Sequence, residues 1–326
     1  MVMMQKTGKK ALKPLRSILL MLIITVILIA IQFFLPPYYR FLLTVIFVYG
    51  IFAVGLDLLI GYTGLLSFGH ALFFGIGAFF FAFFTKISGF WPSLAVGVII
   101  ATLTAAGVGA ISIRTRGVYF AVLTFIFAYV AFYIALDPSM YYITGCSDGF
   151  NFTPPPVSFG IFEAQYNPVT LYYLALVLLL VSYFVCRTIV NSPLGRVMLA
   201  VRENETRARC LGYNTAVVKF AAFMFSGLFA GLSGSLFAYV YHYVNAHMLE
   251  LSVSANAVVW VLLGGAGTLA GPLLGAGIVT LFTDYVMTHV GEYHLILLGI
   301  LLIFVIVFLP RGIMGSIKVS RLWRRT

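Results

Sequence analysis

Two acidic residues and one histidine fall inside apolar stretches of this chain. Asp57 and Asp284 are the only carboxylates that the sequence places within such stretches, and His70 follows a glycine-rich break. An ionisable group in hydrocarbon costs about 2.5 to 3.5 kcal/mol, so it usually faces protein or water. Each carboxylate is a candidate for a solute pathway unless it lies near the end of its stretch and reaches water there. His70 has no carboxylate partner nearby in sequence, which leaves both a packing role and a proton-carrying role open.

The other reactive side chains are scattered. His242 and His247 lie close in sequence, but no carboxylate motif accompanies them. Cys146, Cys186 and Cys210 form no CxxC pair, so we expect neither a disulfide nor a metal site. A membrane-embedded enzyme would need clustered His, Asp or Glu near an interface. It stays an alternative that a product formed by the purified chain would support.

Two glycine-rich breaks, Gly61–Gly64 and Gly264–Gly267, interrupt the apolar texture. Interrupted hydrophobic segments in corresponding positions are typical of transport pathways, although glycines also let helices pack closely. The breaks free backbone N–H and C=O groups, which protein or a wet cavity must satisfy. We therefore predict a solute path along them, lined by Asp57, Gly64, Ser67, Gly69, His70, Asn256, Gly264, Gly267 and Thr268.

The longest charged loop, residues 188–216, contains a predicted short amphipathic helix. Val201, Ala208 and Leu211 fall on one face, and Gly212 is placed to cap the end. Charged residues project from the other faces: Arg202, Glu203, Glu205, Arg207 and Arg209. The pattern alone is equally typical of a helix that lies at the lipid headgroups.

Composition indicates what surrounds these elements. Hydrophobic residues make up 62% of the 326 residues and charged residues 9%, with a mean hydropathy of +1.07. Soluble domains carry roughly 25% charged residues, so a soluble globule is excluded. A helix needs about 20 residues to cross the hydrocarbon of a bilayer. We predict an all-α polytopic integral membrane protein with about ten spans, at residues 17–35, 41–60, 66–84, 91–113, 118–136, 169–187, 217–244, 251–266, 269–290 and 294–309.

The basic residues predict the orientation. The net charge of +11 would suggest nucleic acid in a soluble protein, but the basic residues cluster between and beyond apolar stretches, which marks the cytoplasmic side of a membrane. Alternating ten spans from a cytoplasmic N-terminus leaves only Arg40 and Lys86 outside. We predict no nucleic-acid partner and two cytoplasmic termini. The predicted regions are a basic N-terminus (1–16), a membrane domain (17–310) with an external loop (137–168) and a cytoplasmic loop (188–216), and a basic tail (311–326).

Five blocks of sequence resemble the LivM-type permeases of branched-chain amino-acid ABC importers. They are residues 61–78, 116–124, 192–214, 262–276 and 310–312. In the charged loop, Ala208 and Gly212 match the coupling motif of ABC-importer permeases, whereas Thr206 and Arg207 depart from it. The resemblance implies that this loop contacts an ATPase, through Val201, Arg202, Glu203, Glu205, Arg207, Ala208, Leu211 and Gly212.

The resemblance also implies partners in a bacterial inner membrane: a second, LivH-like permease, two cytoplasmic ABC ATPases and a periplasmic binding protein. The chain contains no Gly-x-x-x-x-Gly-Lys-Ser/Thr loop, so we expect a non-catalytic subunit without a cofactor, with ATP and Mg on the ATPase. Many relatives carry Glu where this chain has Asn256, and Asn where it has Asp57. Urea, short amides and aromatic acids therefore remain alternative solutes, and an ion-coupled secondary carrier is an alternative mechanism.

Overall fold

A computed structural model describes residues 23, 25–158, 163–164, 166–290, 296–297, 299–300, 303 and 312–316. The predicted spans at 17–35 and 294–309 lie largely outside these residues. The chain divides into two units, 1–42 and 43–326. In the first unit, residues 25–31 are helical, and Arg40 Nη2 donates to the carbonyl oxygens of Gln32 at 3.2 Å and Leu35 at 3.4 Å. An arginine that satisfies carbonyls after a helix gives a local reason for one of the two basic residues predicted outside.

We number the helices of the described residues in chain order. They are α1 (Pro37–Thr63), α2 (His70–Phe84), α3 (Phe90–Ser112), α4 (Val118–Leu136), α5 (Tyr141–Thr144), α6 (Pro168–Asn191), α7 (Pro193–Glu203), α8 (Glu205–Cys210), α9 (Thr215–Tyr241), α10 (Leu251–Gly264) and α11 (Ala270–Val290). Strands β1 (Phe150–Asn151) and β4 (Tyr243–Val244) form one antiparallel pair, and β2 (Val157–Ser158) and β3 (Glu163–Ala164) form another. Short 3-10 turns cover Pro138–Met140 and Ala246–Leu249.

Six of these helices, α1, α3, α4, α6, α9 and α11, are long and apolar enough to cross a membrane. The chain is therefore an all-α, multi-pass membrane protein, as predicted. The count of ten spans and the location of the termini stay predictions. The apolar helices α2 and α10 have 15 and 14 residues. At 1.5 Å per residue they measure about 22 and 21 Å, short of the ~30 Å of hydrocarbon.

Both short helices correct the predicted boundaries. Helix α1 continues through Thr63, so the first break lies at residues 64–69 rather than at the predicted Gly61–Gly64, and α2 begins at His70 rather than at residue 66. Helix α10 ends at Gly264, and Gly265 continues with a φ of +116°, a conformation that residues with side chains rarely adopt. An irregular segment with the 3-10 turn Ala246–Leu249 precedes α10. A non-helical segment therefore precedes each of the two short helices, where a longer span would have further helical turns.

Small residues hold α2, α3 and α9 together. A Cβ on Gly77 would collide with the backbone of Gly231, and a Cβ on Gly231 would collide with Ala101. Ser235 Oγ lies 2.9 Å from the carbonyl oxygens of both Gly77 and Gly231. Small residues let helix backbones approach closely in membranes. This packing fixes the position of α2, whose first residue belongs to the candidate site.

Helix α9 and the segment after it run between the two ends of the bundle. Its first turn lies at the charged loop, where Lys219 contacts Glu205, and its last turn leads into β4, whose Val244 pairs with Phe150. The chain then returns through α10 to Gly267, which contacts the side chain of Asp57 near the charged loop. The irregular segment and α10 together therefore cover the distance that the short helix alone does not.

Candidate translocation site and coupling surface

Asp57 binds the second glycine-rich break. It is fully buried in α1, and its Oδ1 accepts a hydrogen bond from the N–H of Gly267 at 2.7 Å, while Oδ2 accepts from the N–H of Leu269 at 3.2 Å. Leu269 has a φ of +54°, which is uncommon for a residue with a side chain, and the bond to Asp57 helps to hold it. The carboxylate therefore satisfies backbone groups freed by the break and does not reach water.

The last turn of α1 brings Gly61 against the second break. A Cβ on Gly61 would collide with the Asp57 carboxylate and with the backbone nitrogen of Gly267. Arg202, on the charged loop, donates from Nη1 to the carbonyl oxygen of Gly61. A Cβ on Gly267 would lie 3.0 Å from the same Nη1. Residues predicted separately for the path and for coupling thus form one junction, which links the charged loop to both breaks.

His70 is fully buried at the start of α2. Its Nδ1 lies 2.9 Å from Ser67 Oγ and its Nε2 lies 2.7 Å from Ser226 Oγ. Two hydroxyl groups inside the protein therefore occupy both ring nitrogens. This geometry supports the packing role of His70 over proton transfer along a path.

The start of α2 is also held by α4 and α10. A Cβ on Gly69 would lie 2.5 Å from the carbonyl oxygen of Thr124, so Gly69 is a point of close helix packing. The N–H of Ala71 donates to Ser254 Oγ at 2.7 Å. The end of the first break that leads into α2 is therefore held in place by contacts with α4 and α10.

The middle of the first break is unpaired. Within residues 64–68, all of which the structure describes, the N–H groups of Leu66, Ser67 and Phe68 donate to no described part of the chain. Gly64 and Leu66 are exposed. A cavity of about 530 Å³ adjoins this segment; its lining is Gly64, Leu65, Leu66, Phe68, Gly117, Val118, Ala121, Val122, Phe125, Leu251 and Ala255.

The remaining predicted path residues lie apart from this cavity. Asn256 is exposed on α10. Gly264 is buried, and a Cβ there would collide with the backbone of Gly271. Thr268 Oγ1 donates to the carbonyl oxygen of Gly265 at 2.7 Å and accepts from the N–H of Gly271 at 3.0 Å. Gly264 and Thr268 shape the turn between α10 and α11, whereas Asn256 lies in the first half of α10; a role in transport stays a prediction for each.

The charged loop forms two helices rather than the single predicted one. Asn204 separates them: it is extended, with φ −161° and ψ 101°, and its side chain accepts from the N–H of Arg207 at 2.8 Å. It therefore caps α8, as asparagine often does at a helix start. Gly212 ends α8 with a φ of +89°, and the N–H of Tyr213 reaches the carbonyl oxygen of Ala208 at 3.3 Å. The predicted capping role of Gly212 is confirmed.

Two of the three residues on the predicted apolar face of this loop are not available to a partner. Val201 and Ala208 are 5% and 1% exposed, so they pack inside this chain. Leu211 is 70% exposed and Tyr213 is 48% exposed. The break at Asn204 turns α8 relative to α7, which is why one helical wheel does not describe both. Four exposed residues at and beside the end of α8 are called the loop surface: Arg207, Leu211, Gly212 and Tyr213.

Glu205 anchors the loop to α9. Its Oε2 lies 2.6 Å from Lys219 Nζ, and its Oε1 accepts from Arg209 at 2.9 Å and from Thr215 Oγ1 at 3.1 Å. Partial burial alone would raise the pKa of Glu205, but the hydrogen bond and charge of Lys219, with Thr215 and the charge of Arg116, lower it below its ordinary value. Sequence reasoning placed Glu205 on an exposed face; Lys219, 14 positions along inside an apolar stretch, was the overlooked signal.

An all-helical, multi-pass membrane protein whose two broken helices meet beneath a charged loop has the architecture of a membrane transport protein. A family model described as the permease component of the branched-chain amino acid transport system matches residues 38–306, and the chain belongs to this family. It is therefore a permease subunit of that transporter family. No solved structure matches it.

Curated relatives agree with the family. The high-affinity branched-chain amino acid transport system permease protein LivM of Escherichia coli is 31% identical over 294 residues, which are 83% of this chain and 68% of the relative. LivM of Salmonella typhimurium is 30% identical over the same shares. The permease protein LivH of Salmonella typhimurium is 29% identical over 134 residues, 40% of this chain and 42% of the relative.

Proposed function

We propose that this chain is one of two permease subunits of an ATP-driven importer for branched-chain amino acids in a bacterial inner membrane. A LivH-like second permease, two cytoplasmic ABC ATPases and a periplasmic binding protein complete the assembly. ATP and Mg bind to the ATPases, and this chain binds no cofactor. The family match over residues 38–306 carries the proposal.

Reconstitution tests this function directly. The chain is assembled with the four partner types in proteoliposomes, and uptake of leucine, isoleucine and valine is measured with ATP inside. We expect uptake that requires both ATP and the ATPases. Uptake driven by an ion gradient without ATPases would instead support a secondary carrier. Urea, a short amide and an aromatic acid serve as competing solutes for the alternative specificities.

The topology belongs to the same proposal: ten spans, two cytoplasmic termini, and the charged loop 188–216 on the cytoplasmic side. The contact of Gly267 with Asp57 near the charged loop, at the far end from β4, supports a full crossing by the segment that contains α10. Reporter fusions after residues 16, 150, 204 and 316 test it. An external signal from the fusion at 204 contradicts the assignment of the loop to an ATPase.

We further propose that the loop surface docks on the ATPase. Its exposed apolar side chain, Leu211, supplies a buried contact, and Arg207 supplies a salt-dependent contact at the rim. Leu211→Asp should lower the amount of ATPase that copurifies with the permease. Ile87→Asp, a change of another exposed aliphatic residue between α2 and α3, is the control. Equal copurification for both variants contradicts the docking surface.

Gly212→Val extends this test to coupling. A β-branched side chain at a φ of +89° is strained, so the end of α8 should shift without affecting membrane insertion. We expect ATP hydrolysis to continue while uptake falls. Wild-type uptake by this variant would contradict a coupling role for the end of α8.

A further inference from the structure

The 530 Å³ cavity is walled by apolar side chains. The described residues that line it include no charged residue. Val122 and Phe125 contribute from α4, and Leu251 and Ala255 contribute from the first turns of α10. Its volume lies within the roughly 300 to 1,000 Å³ that is usual for small-molecule sites.

Two lining residues of the cavity, Leu66 and Phe68, lie in a segment with free backbone groups. The N–H groups of Leu66, Ser67 and Phe68 have no partner in the described chain, and neither do the carbonyl oxygens of these three residues. Unpaired backbone groups at membrane depth are tolerated only inside protein or beside a wet cavity. Leu66 and Val118 at the cavity are 38% and 76% exposed. The cavity is open at these two residues.

These backbone groups and the apolar wall match the two parts of an aliphatic amino acid. Successive free N–H groups suit a carboxylate, and free carbonyl oxygens suit an ammonium group. The apolar wall suits a branched hydrocarbon side chain. No fixed charge holds the solute, which favours passage over tight retention.

A second, polar cavity continues from the first. It measures about 270 Å³ and shares Gly64, Leu65 and Gly117 with the apolar cavity. Its lining also includes residues of the charged loop and its neighbours: Arg116, Arg202, Glu203, Glu205 and Lys219. At the shared boundary, Gly64 and Gly117 carry no side chains. The two cavities thus adjoin, and the second one lies against the charged loop.

We propose that the apolar cavity is the site where the transported amino acid binds this permease, with its charged groups on the backbone of Leu66 and Phe68 and its side chain against Val122, Phe125 and Leu251. The solute then leaves past Gly64 and Gly117 into the polar cavity. The proposal rests on the proposed function. It differs from the path predicted from sequence, because it includes the first two turns of α4 and excludes the second break.

Two matched substitutions on α4 test the site. Val122 lines the cavity and is 48% exposed, whereas Val130 is absent from the lining and is 51% exposed. Val122→Trp should fill part of the cavity and lower leucine uptake per assembled transporter by about tenfold. Uptake of the smaller valine should fall less, so the ratio of leucine to valine uptake should drop. Val130→Trp should leave both rates within about twofold of wild type.

The outcomes separate the site from the function. ATP-dependent leucine uptake by the wild type supports the proposed function whatever the variants do. Equal uptake and an equal leucine-to-valine ratio for the two tryptophan variants, with normal assembly, would falsify the site alone.

A volume-conserving variant covers the case in which Val122→Trp does not assemble. In a background with Cys210→Ser, Val122→Cys and Val130→Cys are treated with a membrane-impermeant thiol reagent on the cytoplasmic side. We expect labelling at position 122 only, slowed during ATP-driven leucine import. Absence of labelling at 122, or labelling that import does not change, overturns the proposal.

Discussion

The two glycine-rich breaks look alike in sequence, but their backbone polar groups end in different environments. At the second break, Asp57 accepts from both Gly267 and Leu269, so the freed donors are satisfied inside the protein. At the first break, the N–H groups of residues 66–68 stay free beside a cavity. The difference arises because the side chain of Asp57, on α1, accepts hydrogen bonds from the second break.

This difference indicates a division of labour. At the second break the backbone donors already have partners inside the protein, so substitutions there should lower the thermal stability of the permease. A break with free donors keeps groups available for a ligand, and substitutions there should act on transport. The junction with Arg202 connects both breaks to the charged loop, so movement of the loop can reach either one.

Removing the Asp57 carboxylate should have the largest effect on the stability of the permease. Asp57→Ala leaves two backbone donors unsatisfied, at about 1 to 3 kcal/mol each, so we expect a marked loss of folded permease. Asp57→Asn keeps an amide oxygen for one donor and should be intermediate. Fluorescence-detected size-exclusion chromatography and thermal melting measure both variants. Asp284→Ala removes a partly exposed carboxylate from α11 and is the control. It should lower the melting temperature less than Asp57→Ala does. A melting temperature of Asp57→Ala equal to that of the wild type would show that the Asp57 carboxylate does not stabilise the second break.

The second prediction compares one glycine from each break. Gly64 and Gly267 have φ values of +76° and +78°, so alanine is strained at both by roughly 1 to 2 kcal/mol. A Cβ at Gly267 also lies 2.9 Å from the carbonyl oxygen of Gly61, whereas a Cβ at Gly64 meets the flexible side chain of Arg202 at 3.2 Å. Gly267→Ala should therefore lower the melting temperature more than Gly64→Ala. The reverse order would contradict the tighter packing of the second break.

A third test addresses the charged loop beside the first break, where Glu205 pairs with both Lys219 and Arg209. Lys219 is 5% exposed and Arg209 is 55% exposed. An exposed pair contributes about 0.2 to 1 kcal/mol, so Arg209→Met should change the thermal stability of the permease little. Lys219→Met should cost more, because it removes the better-shielded partner of the Glu205 carboxylate. Melting curves of the two variants decide; equal losses would mean that burial of Lys219 adds nothing.

The stabilising contribution of Glu205 should depend on pH. The pKa of Glu205 in the folded protein lies below its ordinary value of 4.5, so its contribution to stability is present at neutral pH and is lost as pH falls through the depressed pKa. Lys219→Met removes a cause of that depression and should move the loss to higher pH. Melting temperatures between pH 7 and pH 4 measure this. Glu205→Gln should lack this part of the acid-side slope, and an unchanged slope would contradict the assignment.

Sequence reasoning predicted the elements better than their contacts. Apolar runs and flanking prolines located α1, α3, α4, α6 and α9 within a few residues, because hydrocarbon thickness imposes those lengths. The start of α2 at His70 was missed because residues 66–69 are uncharged and continue the apolar stretch although they are not helical. Asp57 and Gly267 are 210 positions apart, so their contact depends on tertiary packing that no local pattern contains.

The smallest effect on stability gives the sharpest comparison. Thr268 and Ser67 are hydroxyl residues that brace the second and first break: Thr268 accepts from Gly271, and Ser67 accepts from the N–H of Gly69 at 3.3 Å. Thr268→Val should cost about 1 kcal/mol, as the loss of a helix-capping hydroxyl does. Ser67→Ala should cost more, because it also removes the hydrogen-bond partner of His70 Nδ1. Ser67 lies within the segment of free donors, so its loss should also alter leucine uptake per assembled transporter, whereas Thr268→Val should leave that rate unchanged. A change in uptake per assembled transporter for Ser67→Ala alone would locate ligand contact at the first break. Equal changes in uptake would remove the distinction between the two breaks, because both would then act through the shared junction at Gly61.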